Sequence, residues 1–301
     1  MAKTLVYMRT HVIDKGVISE FLKLKNTCGY DCILLIDNHK ELFVPKSEKK
    51  YICEKEFFGH KIKCFFTDDI LYKDHFNLPY YSEQNDNKDF AKMMWYCADY
   101  VFYAVRKFFP DYERYWQFEY DVYCNGDSYK PFLNEYDVKD EELIIARLEN
   151  CAEMDECFWA DKADWVYASN ITKYSSFFPI VRISGKAIDF LYNKRLEHLN
   201  KFDPHNALDR WIFCEIFVPT ELLNAGFKAT SIDNQPMRFV PNYDLNEDRI
   251  FENPDNKIYH PVRANFVRTS NVLELDSKDV IKVYRLWLFG FKFSLVIQKF
   301  R

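Results

Sequence analysis

Two short apolar runs constrain this chain more than any other feature. Leu5-Val6-Tyr7-Met8 and Cys32-Ile33-Leu34-Leu35-Ile36 contain no polar break. Between them Val17, Ile18, Phe21, Leu22 and Leu24 fall on one face of a helix, and Gly29 supplies its stop. Strands this short and this apolar, joined through a helix, bury both faces, which is the pattern of a parallel sheet covered by helices. Lys63-Cys64-Phe65-Phe66, ending at Thr67-Asp68-Asp69, reads as a third such strand.

The alternation continues. Phe90, Met94, Cys97, Val101, Val105 and Phe108 recur at helical spacing, predicting a helix over 88–109 that Pro110 ends. Trp116 to Val122 reads as a buried strand. Ile180-Val181-Arg182-Ile183 reads as another, with Ser184 as the N-cap of a helix carrying Ile188, Leu191 and Leu196. A helix is expected over 208–217, then a separate helical turn opening at Pro219-Thr220 and stopping at Gly226. The Asn-, Asp- and Pro-rich stretch 233–256 reads as a long loop. Strands alternating with helices give an α/β fold with a mostly parallel central sheet flanked by helices. At 301 residues and 48% hydrophobic content the chain has enough apolar surface for one large domain of this kind.

Several function classes drop out. Only seven glycines are present, and neither a GxGxxG nor a Walker-type loop occurs, so nucleotide binding would need other chemistry. A net charge of -5 with acids and bases interspersed gives no basic face for nucleic acid. Nine cysteines without CxxC or zinc spacing, behind a start (MAKTLVYMRT) with no apolar leader, read as free thiols in a reducing cytoplasm. No stretch reaches the ~18 apolar residues of a membrane span.

The chemistry concentrates in Trp116-Gln117-Phe118-Glu119-Tyr120-Asp121-Val122. Glu119 and Asp121 sit two apart at the end of an apolar strand, so both carboxylates are expected on one face. Burying two carboxylates there is costly without a cation. The carboxyl edge of an open α/β sheet is where ligands bind, so Mg²⁺ or Mn²⁺ bridging a diphosphate would supply it. Asn125-Gly126-Asp127 provides a turn directly behind. The plain alternative is a pair of strand-end acids neutralised by Lys or Arg. Glu215, among Trp211, Phe213, Ile216 and Phe217, is the candidate general base, because an apolar setting raises a carboxyl pKa; Asp209 and Asp189 are its substitutes. Arg182 and Ser184, on the strand Ile180–Ile183 and the turn after it, are candidate acceptor-binding residues, with Arg182 a bidentate clamp for phosphate or carboxylate. Arg9 and His11, at the end of the first strand, are candidate donor-binding residues. His39, His60, His75, His198 and His205 lack metal spacing and read as surface residues.

The segment YWQFEYDVYCNGD resembles the strand-end acidic motif of GT-A glycosyltransferases. With Arg9-Thr10-His11 early and His260-Pro261-Val262-Arg263 late, the chain is similar, from about residue 5 to 265, to bacterial capsule and lipopolysaccharide glycosyltransferase-like proteins. That resemblance implies a GT-A-like, Rossmann-type domain over 1–265 that moves a sugar from a nucleotide-sugar donor to a growing surface glycan. A UDP-hexose is the default donor, with galactose or galactofuranose among the options. It assigns the metal to Asp121 with Glu119, makes His260 the late histidine completing metal or diphosphate binding, and puts Arg263 on the donor. The chain departs from Asp-x-Asp in having Glu first, and from His-Pro-Val-Lys in ending on Arg, which keeps the charge but changes its geometry.

Residues 266–301 form a C-terminal extension mixing Trp287, Phe289, Phe291 and Phe293 with Lys282, Arg285, Lys292 and Arg301. That mixture suits the headgroups of an anionic membrane, hence peripheral contact at the inner face, or equally a last strand or helix on the core. Two other classes compete with a transferase of sugars: a Mg²⁺-dependent nucleotidyltransferase or phosphodiesterase, which would carry further acids or histidines near the pair, and a non-catalytic glycan-binding scaffold.

Overall fold

Buried apolar runs become adjacent strands. In the computed structural model, which describes residues 2–37, 51–78, 95–157, 159–164, 166–201, 211–239, 243–245, 248–263, 281–288 and 291–298, β1 (Thr4–Thr10) pairs in parallel with β2 (Asp31–Asp37) across α1 (Lys15–Thr27). Asp14 caps α1, accepting from the Val17 N–H at 2.8 Å. The chain then makes a hairpin of β3 (Ile52–Phe57) and β4 (His60–Thr67), and α2 (Asp69–His75) and α3 (Tyr100–Phe108) carry it back to β5 (Arg114–Glu119). After β6 (Tyr123–Cys124) and α4 (Lys130–Asp137) come β7 (Leu143–Asn150) and β8 (Tyr174–Ser184), then α5 (Gly185–Leu199), α6 (Cys214–Asn224) and β9 (Ala229–Ile232).

Eight of these strands form one sheet in the order β3-β4-β2-β1-β5-β8-β7-β9. β4, β2, β1 and β5 are mutually parallel, β8 runs against them, and β7 and β9 run with them again. The sheet is therefore mixed but mostly parallel, and helices cover both faces. Leu5, Tyr7, Ile33, Leu35, Phe65 and Tyr115 pack with residues of α3, α5 and α6. Val6, Met8, Leu34, Ile36, Phe66, Trp116 and Phe118 pack with residues of α1 and α4. From β1 the chain winds outward through β2 and β4, then returns to β5 on the other side of β1. That reversal makes the carboxyl ends of β1 and β5 the topological switch point, the place in open α/β sheets where a ligand-binding crevice forms.

Two sequence expectations change here. The stretch 208–226 does not form two helical pieces: α6 runs through Pro219, while 202–210 lies outside the described residues. A proline cannot donate the N–H that would bond to the carbonyl four residues back. The hydroxyl of Ser176 on β8 donates to that carbonyl, Glu215 O, at 3.2 Å. Thr220 ties the same helix to β8 through Tyr174, whose N–H donates to Thr220 Oγ1 at 2.9 Å. The helix expected over 88–109 lies outside the described residues up to 94; beyond that it is not continuous, since a turn at 97–99 breaks it before α3 begins.

Beneath α6, Arg195 of α5 donates to both carboxylate oxygens of Asp99 at 2.8 and 2.9 Å and to Ile212 O at 2.9 Å, all fully buried. His198 is not a surface residue: it is 5% exposed and faces Glu221 at 3.1 Å. Nor are all cysteines free, because Cys151 and Cys157, six residues apart on one loop, form a disulfide, leaving seven free thiols.

Beyond the sheet, β10 (Tyr243–Asp244) pairs with β12 (Val262–Arg263), and β11 (Ile258–Tyr259) with β6. The extension contributes an antiparallel hairpin of β13 (Ile281–Leu288) and β14 (Phe291–Gln298) rather than a helix. The expected boundary at 265–266 lies outside the described residues. Among the described residues no helix is long and apolar enough to cross a membrane.

Candidate metal and transfer site

Alternation along the strands places one polar layer at the crevice. Two residues beyond Tyr7, Leu35 and Phe65 on the same face come Arg9, Asp37 and Thr67, and four beyond Tyr115 comes Glu119. Arg9 and Glu119 are register partners. Arg9 donates from Nε to Asp37 Oδ2 at 3.0 Å, and Thr67 donates to Asp37 Oδ1 at 2.8 Å. Arg9, Asp37 and Thr67 are each buried. Beneath them Tyr7 donates to Gln117 Oε1 at 3.2 Å.

β5 ends at Glu119, so Asp121 is not a strand residue as expected but lies in the turn that follows. The two carboxylates meet because a late segment folds against that turn. Asn125, 3% exposed, donates to Ile250 O, Asn253 O and the Asp255 carboxylate. The neighbouring Gly126 lies so close to Asn256 that a Cβ there would come within 2.3 Å of its side-chain oxygen. This clamp sets β11 beside β6, and the Val262 N–H donates to Asp121 O at 2.8 Å.

His260 is thereby placed with Nε2 3.3 Å from Asp121 Oδ1 and 3.8 Å from Glu119 Oε2. One ligand atom from each of the three lies within 4.8 Å of the others. Asp121 Oδ1 is buried without a hydrogen-bond partner. His260 Nδ1 faces Arg238 O at 3.3 Å; a carbonyl only accepts, so Nδ1 carries a proton, and a bound cation would take the Nε2 lone pair on the side of the carboxylates. Three electron-pair donors turned on one another, one of them buried and orphaned, suit a divalent cation. Two oxygens and an imidazole fit Mn²⁺ or Mg²⁺ better than a thiolate-seeking metal. Burial and the Asp121 charge push the Glu119 carboxyl up to about 7, against the pull of His260 and Arg9.

Glu215 enters the same electrostatic neighbourhood from α6. Burial, then the charge of Glu119, pushes its carboxyl up to about 8, while a backbone hydrogen bond from Phe178 pulls the other way. Of the residues singled out from the sequence, the fold brings Arg9, Glu119, Asp121 and His260 together at the carboxyl ends of β1 and β5, and Glu215 lies within electrostatic reach of Glu119. His11 is exposed, edge-on to Tyr120 with ring centroids 4.8 Å apart. Arg263 lies on β12, and its side chain lies outside the described residues, as does Asp209.

Arg182 and Ser184 must be reassigned. Arg182 is 1% exposed, and its guanidinium donates to Tyr136 O, Lys139 O and Glu141 O at 2.7 to 2.9 Å. It holds the α4–β7 turn and clamps no ligand. Ser184, paired with Arg114 at the start of β5, caps α5 by accepting from the Ala187 N–H at 3.1 Å. Asp189 is committed to Arg106 at 3.0 Å. Asp68, part of a second acidic pair, caps α2 by accepting from the Leu71 N–H at 2.7 Å. Arg182→Met is expected to cost about 3–5 kcal/mol in urea unfolding, because one buried and two part-buried carbonyls lose their donor. A loss of acceptor affinity at unchanged stability would contradict this reassignment. Asp37 and Thr67, which complete the polar layer, were not singled out; the signal available was their place at the carboxyl ends of buried parallel strands.

No family model matches the sequence, and no curated protein matches it. Solved structures that align with the chain include a glycosyltransferase involved in the glycosylation of the major capsid of PBCV-1 (11% identity, TM-score 0.37, covering 85% of this chain and 92% of that one). Another is core-mannan synthase A from Aspergillus fumigatus in its Mn/GDP form (13%, TM-score 0.42, 77% and 73%). A third is a protein assigned as a glucose-1-phosphate thymidylyltransferase from Bacillus anthracis (11%, TM-score 0.39, 77% and 86%). Likenesses of this size define no activity, which is read from this chain's own residues and motifs.

Proposed function

We propose that the chain is a metal-dependent transferase acting on a nucleoside-diphosphate substrate and, more narrowly, a glycosyltransferase that moves a hexose from a nucleotide sugar to a glycan. The observation that carries this is the set Glu119, Asp121 and His260, closed around a buried, unpartnered carboxylate oxygen at the switch point of the sheet. Those three residues would hold the ion. A bound Mn²⁺ or Mg²⁺ supplies Lewis acidity at a diphosphate leaving group. Arg9, held by Asp37, adds fixed positive charge to the crevice floor. Glu215 takes the proton of the acceptor hydroxyl in a single displacement; its raised pKa makes it a competent base near neutrality. A UDP-sugar donor, a capsule or lipopolysaccharide acceptor and peripheral membrane contact through the extension belong to the same reading, and rest on the resemblance noted above.

The test is thermal unfolding of the wild type with UDP, GDP, CMP and their sugars, with and without Mn²⁺. A nucleotide at about a hundredfold its dissociation constant should add about 2.7 kcal/mol of stability, and the effect should require the metal. If no nucleotide sugar is stabilising or hydrolysed with Mn²⁺ present, the reading fails.

A further inference from the structure

The side of the crevice next to His260 carries a second group of residues that the reaction described above does not use. Segment 235–239 is laid directly against the metal ligand. Met237 bridges His260, the Arg238 N–H donates to His260 O at 2.9 Å, and the His260 N–H donates to Pro236 O at 3.2 Å. The next residue, Phe239, is 53% exposed, an unusual state for a phenylalanine fixed by its neighbours. Its ring sits 4.2 Å from that of Phe177 on β8, and Phe177 in turn lies 5.1 Å from the His260 imidazole. An exposed aromatic face therefore stands two ring contacts from the metal ligand.

A bulge in β7 aims a cation at that face. Ala146 pairs with Phe177 and Glu149 with Ser175, so two residues of β7, Arg147 and Leu148, oppose a single residue of β8. Arg147 occupies the left-handed region, with φ at 50°. Glycine or asparagine suits that conformation far better than a long side chain, and bulges beside active sites commonly re-aim one residue. The guanidinium lies 4.9 Å over the Phe239 ring and donates once, to Met237 O at 3.0 Å. Among the described residues no carboxylate lies within ion-pair distance of it. A half-buried guanidinium with free N–H groups, stacked beside an exposed aromatic ring, matches a ligand with both an apolar sugar face and an anionic substituent.

We propose that Phe239, Phe177 and Arg147 form the acceptor subsite, and that the acceptor sugar carries an acidic group, carboxylate or phosphate, that Arg147 receives. This rests on the transferase reading. The acceptor ring lies against Phe239, which brings it alongside His260 and the two carboxylates.

The test is equilibrium binding by calorimetry or ligand-observed NMR of methyl glucoside, methyl glucuronide and methyl glucoside 6-phosphate. Wild type should bind at least one acidic sugar tenfold or more tighter than the neutral one, and which of the two it prefers identifies the anion. Arg147→Gln should erase that preference, Arg147→Lys should keep part of it, and Phe239→Ala should weaken all three ligands. Equal binding of neutral and acidic sugars, a preference surviving in Arg147→Gln, or no saturable binding of any of the three overturns the proposal. Should Arg147→Gln fail to fold, Arg147→Lys and Phe239→Ala decide it alone: unchanged affinities in both overturn it. The thermal shift of the same wild-type sample with nucleotide and Mn²⁺ separates the two failures. A normal shift with no acidic preference removes only the acceptor subsite, whereas no shift with any nucleotide removes the transferase reading.

Discussion

Asp121→Asn should abolish the stabilisation that Mn²⁺ gives the wild type, and should lower metal-dependent hydrolysis of the donor sugar by about 10³-fold. The magnitude follows from the loss of several kcal/mol of charge stabilisation at the leaving group, at about 1.36 kcal/mol per tenfold. The substitution keeps the shape of the side chain, and the Asp121 backbone bond from the Val262 N–H is untouched, so the fold should survive. Without metal the variant should stay close to the wild type in stability, because relief of like charge offsets the weakened Asp121–His260 pair at 3.3 Å. It removes a buried carboxylate oxygen that has no hydrogen-bond partner and a like charge that, after burial, is the largest cause pushing Glu119 up. A structural role for Asp121 predicts the reverse pattern: a large loss of stability without metal, and a Mn²⁺ response that persists. Unfolding curves of both proteins with and without Mn²⁺ therefore separate the two roles, whatever the donor sugar turns out to be.

How much of this site could be read in the sequence depended on whether each residue's partner was local. The carboxylate pair was legible because a buried strand, its last residue and the turn after it are contiguous in the chain. Strand periodicity likewise exposed β1, β2 and β5, whose apolar runs need no information from elsewhere. The turn geometry at Asp121 was not legible, because alternation describes a strand only as long as the strand continues. His260 is picked out in the sequence by resemblance alone. What puts it beside Asp121 is the β6–β11 ladder and the Asn125 clamp, contacts across more than a hundred residues. Arg182 misled for the same reason. An arginine on an apolar strand has the same sequence signature whether it faces a ligand or three carbonyls, and its carbonyls come from 136, 139 and 141. Arg147 was invisible for another reason: a bulge breaks the pairing register, which single-strand patterns do not record.

Glu215→Gln is the second large effect expected, a fall of about 10²- to 10⁴-fold in kcat with donor and metal binding retained. Glutamine keeps the volume and leaves intact the backbone carbonyl that Ser176 holds, but it cannot accept the acceptor's proton. The pH dependence carries the diagnostic. The base works ionised, so the wild-type rate should rise with pH to a plateau above the folded pKa of Glu215, about 8 in the metal-free protein. Charge on Glu119 is one of the causes of that value; a cation held by Glu119 and Asp121 offsets it, so the rising limb under saturating Mn²⁺ should lie below 8. Burial remains and keeps it above an ordinary carboxyl near 4.3. Stability gives an independent check of sign. A carboxyl raised on folding binds its proton more tightly in the native state, so it costs stability progressively from the unfolded pKa near 4.3 up through the folded value near 8. Metal-free Glu215→Gln should escape that cost and gain on the wild type across this window, most above pH 8. A variant that loses activity together with stability at high pH would make Glu215 a structural residue. One that keeps both the rate and the rising limb would move the base elsewhere.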